Sequence, residues 1–153
     1  MRVVLGSDHA GYVLKERVKR ELIGLGHDVE DLGTHAAEPA VDYPDYCFPV
    51  GERVAGGRAQ RGLVFGGSGI GEAIAANKVP GIRAALVTSE ETARLTRLHN
   101  DSNVLALGAR TNPDHEAVAG WVRVWMETPF EGGRHVPRIR KIAEYEAARA
   151  GRQ

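Results

Sequence analysis

The sequence predicts an α/β fold, a Rossmann-like three-layer sandwich around a five-stranded parallel sheet. The first reason is a set of five short apolar runs rich in β-branched residues, the reading expected of strands buried on both faces. The second is that helical segments separate these runs, supplying the crossovers that parallel pairing needs. The third is where the polar residues fall. "SDHAG", "DLGTH", "GGSGIGE", "TSEE" and "GARTN" all follow the carboxyl ends of the runs, where open α/β sheets gather their ligands.

Arg2 to Ser7 (RVVLGS) is the first strand. In the following "AGYVLKERVKRELIGLG", helical spacing puts Leu14, Val18, Leu22 and Leu25 on one face, and Gly26 is the stop. "HDVEDLG" reads as the second strand and "THAAEPAVDYP" as a loop. Pro44 opens a helix through "DYCFPVGERVAGG", which Pro49 should kink or shorten, since a proline has no N–H for the helical ladder. Arg61 to Gly66 is the third strand and runs into a glycine turn, then a helix ending near Lys78 and Pro80. "IRAALVTS", "EETARLTRLHN" and "NVLALGAR" give a fourth strand, a helix and a fifth strand. "PDHEAVAGWVRVWMETP" and "VPRIRKIAEYEAARA" follow as helices, the last over about 136–149. Residues 1–153 read as one domain without repeat or linker, only the terminal "AGRQ" looking frayed.

Twenty basic residues balance twenty acidic ones. No global field draws nucleic acid, and a bound anion must be small and locally held. Cys47 is the single cysteine, which rules out a disulfide framework or Cys-rich zinc site and fits a reducing, cytoplasmic setting; its plain reading is a small buried apolar residue. The N-terminus lacks a signal-peptide core, and no stretch is long enough to span a bilayer.

The glycine turn "FGGSGIGEAIAANK" decides between chemistries. A dinucleotide site needs G-x-G-x-x-G, but Gly67, Gly69 and Gly71 are spaced G-x-G-x-G, and Glu72 stands where the last glycine should, a carboxylate that would repel pyrophosphate. The hydrolase elbow G-x-S-x-G also fails, because Ile70 takes the place of its second glycine. What remains is a nest of backbone N–H groups at a helix N-terminus, with the Ser68 hydroxyl beside it and Glu72 in the first turn: donors for an oxyanion and a carboxylate to move a proton. Taken alone, Glu72 is equally an ordinary first-turn acid in the helix dipole.

Asp8 and His9 follow the first strand, where the plain reading of an isolated Asp-His pair is a helix cap with an exposed histidine. His99 and Asn100 end the fourth helix, and Arg110 follows the fifth strand. Arg134 and Arg138, four apart around Pro137 in "GGRHVPRIRK", form the densest basic group, either a solvated face or a grip for a phosphate monoester. No histidine pair stands at metal-ligand spacing with a carboxylate on one helix, so neither metal nor cofactor is expected. Carboxylate, oxyanion nest, histidine and basic cluster together describe proton transfer beside a carbonyl on a phosphorylated substrate.

"GSDHAG", "DYPDYC", "GGSGIGEAIAANKVPGIRAAL", "LHNDSNVLALGAR" and "EGGRH" with Arg138 resemble, in order and spacing, the ribose-5-phosphate isomerase B family, which includes galactose-6-phosphate and allose-6-phosphate isomerases. The resemblance covers nearly the whole chain. It implies an intramolecular oxidoreductase that interconverts ribose 5-phosphate and ribulose 5-phosphate through an enediolate, without a metal. Many members carry a catalytic cysteine where this chain has Gly66; a second branch, reading "GGSGNGE", uses the glutamate that Glu72 matches. By the same resemblance Asp8 and His99 open the furanose ring, Ser68 with the amides of Gly67, Gly69 and Gly71 steadies the enediolate, and Tyr43 shapes the sugar site. His9, Arg110, Arg134 and Arg138 would hold the phosphate, and Asn100 would bind near the reacting carbons. It also implies a homodimer or homotetramer with active sites shared between subunits, the C-terminal helix packing on a neighbour. Two other readings stay open: an isomerase of a four- or six-carbon aldose phosphate, and a non-catalytic sugar-phosphate-binding module. Also open is the pKa of Glu72, which burial would raise and the helix N-terminus would lower.

Overall fold

A computed structural model describes residues 1–150 of the chain. Its strands β1 (Arg2–Ser7), β2 (Asp28–Asp31), β3 (Arg61–Gly66), β4 (Ala84–Leu86) and β5 (Val104–Gly108) form one sheet in the order β2-β1-β3-β5-β4. Every pairing is parallel. Side chains alternate between two cores, as the pleat requires. Val3, Leu5, Leu63, Phe65, Leu105 and Leu107 pack with α1 (Tyr12–Gly24), α4 (Glu90–Asn100) and α5 (His115–Glu127). Val4, Val64, Val104 and Ala106 pack with α2 (Pro44–Ala55) and α3 (Ile70–Ala76) on the other face. The three-layer sandwich with a five-stranded parallel sheet is therefore as the sequence predicts.

The elements depart from expectation mainly at their ends. Leu14, Val18 and Leu22 are buried, but Leu25 is 39% exposed, because α1 stops at Gly24 and the chain turns away at Gly26, φ 82°. β2 and β4 are shorter than their apolar runs, and both lie at sheet edges. Beyond β4 one further rung survives, from the Val87 N–H to the Ala106 carbonyl. α2 continues past Pro49 to Ala55 instead of ending there. Ser89 starts α4 with a reciprocal capping box through Thr92, and Asp114 caps α5 by accepting from the Ala117 N–H at 3.0 Å.

Polar contacts tie the helices to the sheet and to each other. Lys15 is fully buried and pairs with Asp31 at 2.6 Å, joining α1 to the end of β2, while Arg17–Glu116 and Glu21–Arg123 bridge α1 and α5. The last helix, α6 (Val136–Ala150), is different: none of its residues is buried, and Val136, Ile142 and Tyr145 stand exposed. Ala150 closes α6; the rest of the terminal "AGRQ", expected to fray, lies outside the described residues. Among the described residues no helix is long and apolar enough to cross a membrane.

Candidate active site

The carboxyl ends of the three central strands open into a cleft of about 440 Å³ lined by Asp8, Tyr43, Gly67, Ser68, Gly71, Glu72, Arg110 and Thr111. Each strand delivers its residues through the turn that follows it. After β1, the Asp8 N–H bonds the Phe65 carbonyl at 3.2 Å and its Oδ1 accepts the Gly11 N–H at 2.9 Å. Asp8 is therefore not the cap of α1, whose N-cap is Gly11 with no side-chain cap; one of its carboxylate oxygens closes the turn before the helix, while the other takes no hydrogen bond from the described residues. After β5, the Arg110 N–H bonds the Gly67 carbonyl at 2.9 Å, and its guanidinium lies over Gly67, the one cation lining the cleft among the described residues. Tyr43, before α2, rests its ring on Gly71: a Cβ there would come within 2.7 Å of Cζ.

After β3 the chain makes its glycine turn. Gly69 has φ 78°, the left-handed region that favours glycine, and this lets α3 begin within three residues of the strand. The Ser68 hydroxyl accepts the Ile70 N–H at 3.2 Å, and Glu72 follows in the first turn. Glu72 is 3% exposed, with its carboxylate against the Cα of Gly66, in the space that a Cβ at that position would fill. Burial pushes its pKa above the usual carboxylate range, and the neighbouring Asp8 charge adds to this. The backbone N–H groups of Glu72 and Gly69 pull the other way without winning. The balance left open by the sequence therefore falls toward a carboxylate suited to accept a proton nearer neutral pH. Cys47 is buried nearby, and burial with the charges of Glu72 and Asp8 pushes its thiol up, away from the reactive thiolate.

The remaining predicted residues do not line this cleft. His9 is half-buried, with the Val41 N–H 3.2 Å from its Nδ1. His99 stands in the last turn of α4, its ring stacked on His135 with Glu131 beside both. Asn100 lines a separate cavity of about 250 Å³, shared with Asn77, Ile139 and Ile142. Arg134 and Arg138 are exposed; Arg134 directs its Nε at His135 Nε2, 3.4 Å away, and Arg138 has no ion-pair partner among the described residues. One chain thus presents the predicted site residues in two groups. Thr111, Glu131 and His135 were given no role from sequence, although each falls in a block that drew notice, "GARTN" or "EGGRH". What brings Thr111 to the cleft, and Glu131 and His135 to His99, is tertiary.

The ribose/galactose isomerase family matches residues 3–142. The ribose-5-phosphate isomerase B of Mycobacterium tuberculosis is 44% identical over 147 residues, covering 95% of this chain and 90% of that protein. Among solved structures, the Clostridium thermocellum ribose-5-phosphate isomerase B is 47% identical and superposes with a TM-score of 0.93, over 97% of this chain and 99% of the other. The Mycoplasma genitalium enzyme, solved with bound ribulose 5-phosphate, is 39% identical with a TM-score of 0.91, over 95% and 96%.

Proposed function

Since this chain belongs to the ribose/galactose isomerase family, we propose that it interconverts ribose 5-phosphate and ribulose 5-phosphate through an enediolate, with Glu72 as the base. The observation that carries this reading is the buried Glu72 carboxylate. It is held against Gly66 with its pKa raised, and it faces a cleft that also holds a second carboxylate, a hydroxyl and a guanidinium. Asp8 takes the proton from O1 of the furanose while His99 gives one to the ring oxygen, and the C1–O4 bond breaks to free the aldehyde. Glu72 then removes the proton from C2, and the charge that develops on O1 is met by the Ser68 hydroxyl and the amides of Gly67, Gly69 and Gly71. Glu72 returns its proton to C1 as the proton on O2 passes to O1, leaving the ketose. Tyr43 closes over the sugar.

The phosphate is held by His9, Arg110, Arg134 and Arg138, with Asn100 near the reacting carbons, and the site is completed by a neighbouring subunit. That division is supported by His99, Asn100, Arg134 and Arg138 lying outside the Glu72 cleft, and by α6, none of whose described residues is buried and which leaves Val136, Ile142 and Tyr145 exposed. A homodimer is the smallest assembly that satisfies it, with α6 packed on the neighbour. The setting is cytoplasmic, in the pentose phosphate pathway, in line with the single buried cysteine. NMR of the purified protein with ribose 5-phosphate in D2O tests the reaction: ribulose 5-phosphate should form, with some deuterium entering at the carbon next to the carbonyl. Unchanged substrate refutes it.

A further inference from the structure

Glu131 and His135 take no part in the mechanism above, yet both lie against His99. A histidine in the last turn of a helix, with 37% of its side chain exposed, has several rotamers open to it. Here one is selected. The His99 ring stacks on that of His135, centroids 4.4 Å apart and planes within 16°. His135 is itself 3% exposed, so the plate beneath His99 is fixed by its own surroundings. Glu131 Oε2 lies 3.2 Å from His135 Nε2 and 3.9 Å from His99 Nε2, and the Glu131 N–H donates to the Leu98 carbonyl at 3.1 Å. Backbone, carboxylate and ring together tie the segment before α6 to the turn that carries His99.

One ring nitrogen from each histidine and a carboxylate oxygen lie within 4.8 Å of one another, but they do not make a metal site. Imidazoles stacked face to face send their nitrogen lone pairs out side by side, not toward one point, and the Arg134 Nε, part of a permanent cation, stands 3.4 Å from His135 Nε2. The same arrangement suits a different purpose. Arg134 adjoins His135 in the chain, so the stack also sets the separation between the imidazole and the phosphate grip.

We propose that His135, with Glu131, is a positioning residue for His99, holding the imidazole where it meets the ring oxygen of a closed sugar phosphate. This rests on the reading of His99 as the ring-opening group. The chemistry offers a readout that a merely structural role would not move. Ribulose 5-phosphate has no ring to open, because its O5 carries the phosphate, so exchange of its C1 proton with solvent needs Glu72 but not His99. His135→Leu removes the plate at similar volume, and Glu131→Gln removes the carboxylate without touching the buried ring. In each, kcat for ribose 5-phosphate should fall about 10-fold, as expected for a misplaced group. Deuterium should still enter C1 of ribulose 5-phosphate from D2O at a rate within about twofold of wild type. His99→Ala should show the same split, more severely. If both rates fall together in His135→Leu and Glu131→Gln, or neither falls, while His99→Ala splits, the positioning role is overturned alone. If His99→Ala does not split, the ring-opening reading falls and takes the proposal with it.

Discussion

Gly66→Ala adds one methyl group at the end of β3, and the structure says what it meets. Gly66 has no positive φ, so alanine is conformationally free to sit there. The obstacle is volume alone: the new Cβ falls on the Glu72 carboxylate. To restore an ordinary van der Waals contact the carboxylate must withdraw by more than about 1 Å. A misplacement of that size in a catalytic group costs about 100-fold in rate, while the overpacking itself costs about 1–3 kcal/mol of stability if the side chain cannot move fully aside. Turnover of ribose 5-phosphate by Gly66→Ala should therefore drop about 100-fold with little change in KM. Because the methyl acts through Glu72, adding it to Glu72→Gln should cost little more, a double-mutant cycle far from additive. The assay is steady-state kinetics on the four proteins, each checked for folding by thermal denaturation. A fully active Gly66→Ala, or losses that simply multiply in the double variant, would refute the placement of the base. The same overlap explains in physical terms why a glycine stands where other family members are expected to carry a cysteine: a side chain there and the Glu72 carboxylate compete for one space.

Glu72→Gln, which keeps the shape and removes the base, should lower kcat at least about 100-fold with substrate binding little changed; near-normal turnover would put the base elsewhere. It should also stabilise the fold. The folded pKa of Glu72 is raised above 4.5, so the stability of its protonated form is full below that value and lost as pH rises through the folded pKa. The neutral amide should therefore raise Tm at about pH 7–8 and give no gain near pH 4, by calorimetry across that range. EDTA and a mild thiol alkylating agent should leave the rate nearly unchanged, since the Cys47 thiol is buried and pushed up; full loss with EDTA would overturn the metal-free mechanism. Arg138→Ala and Glu72→Gln, mixed, unfolded and refolded together, should recover roughly a quarter of wild-type activity, because about half the dimers are mixed and each of those has one intact site of two. No recovery, with mixed dimers seen by mass spectrometry, would place both residues in one subunit's site.

The fold class was legible because it depends on local pattern. The β-branched runs and the Leu14, Val18, Leu22 spacing state which faces must be buried, and burial on both sides of five short strands leaves few alternatives to a parallel sandwich. Glu72 was legible as a candidate because a carboxylate at that point spoils a dinucleotide loop. Its pKa was not, since desolvation depends on what covers the side chain and the Gly69 amide opposes it; only packing against Gly66 and the proximity of Asp8 decide the direction. Element ends such as Leu25 escaped because a helix stops where its caps and neighbours allow, one residue short of the periodic pattern. Lys15 is an apolar-face exception of the same kind, buried because Asp31, far along the chain, pairs with it. The His99–His135 stack is furthest from sequence. It is set by contacts between α4 and the segment before α6, more than thirty residues apart, and no spacing rule within one element reaches that far.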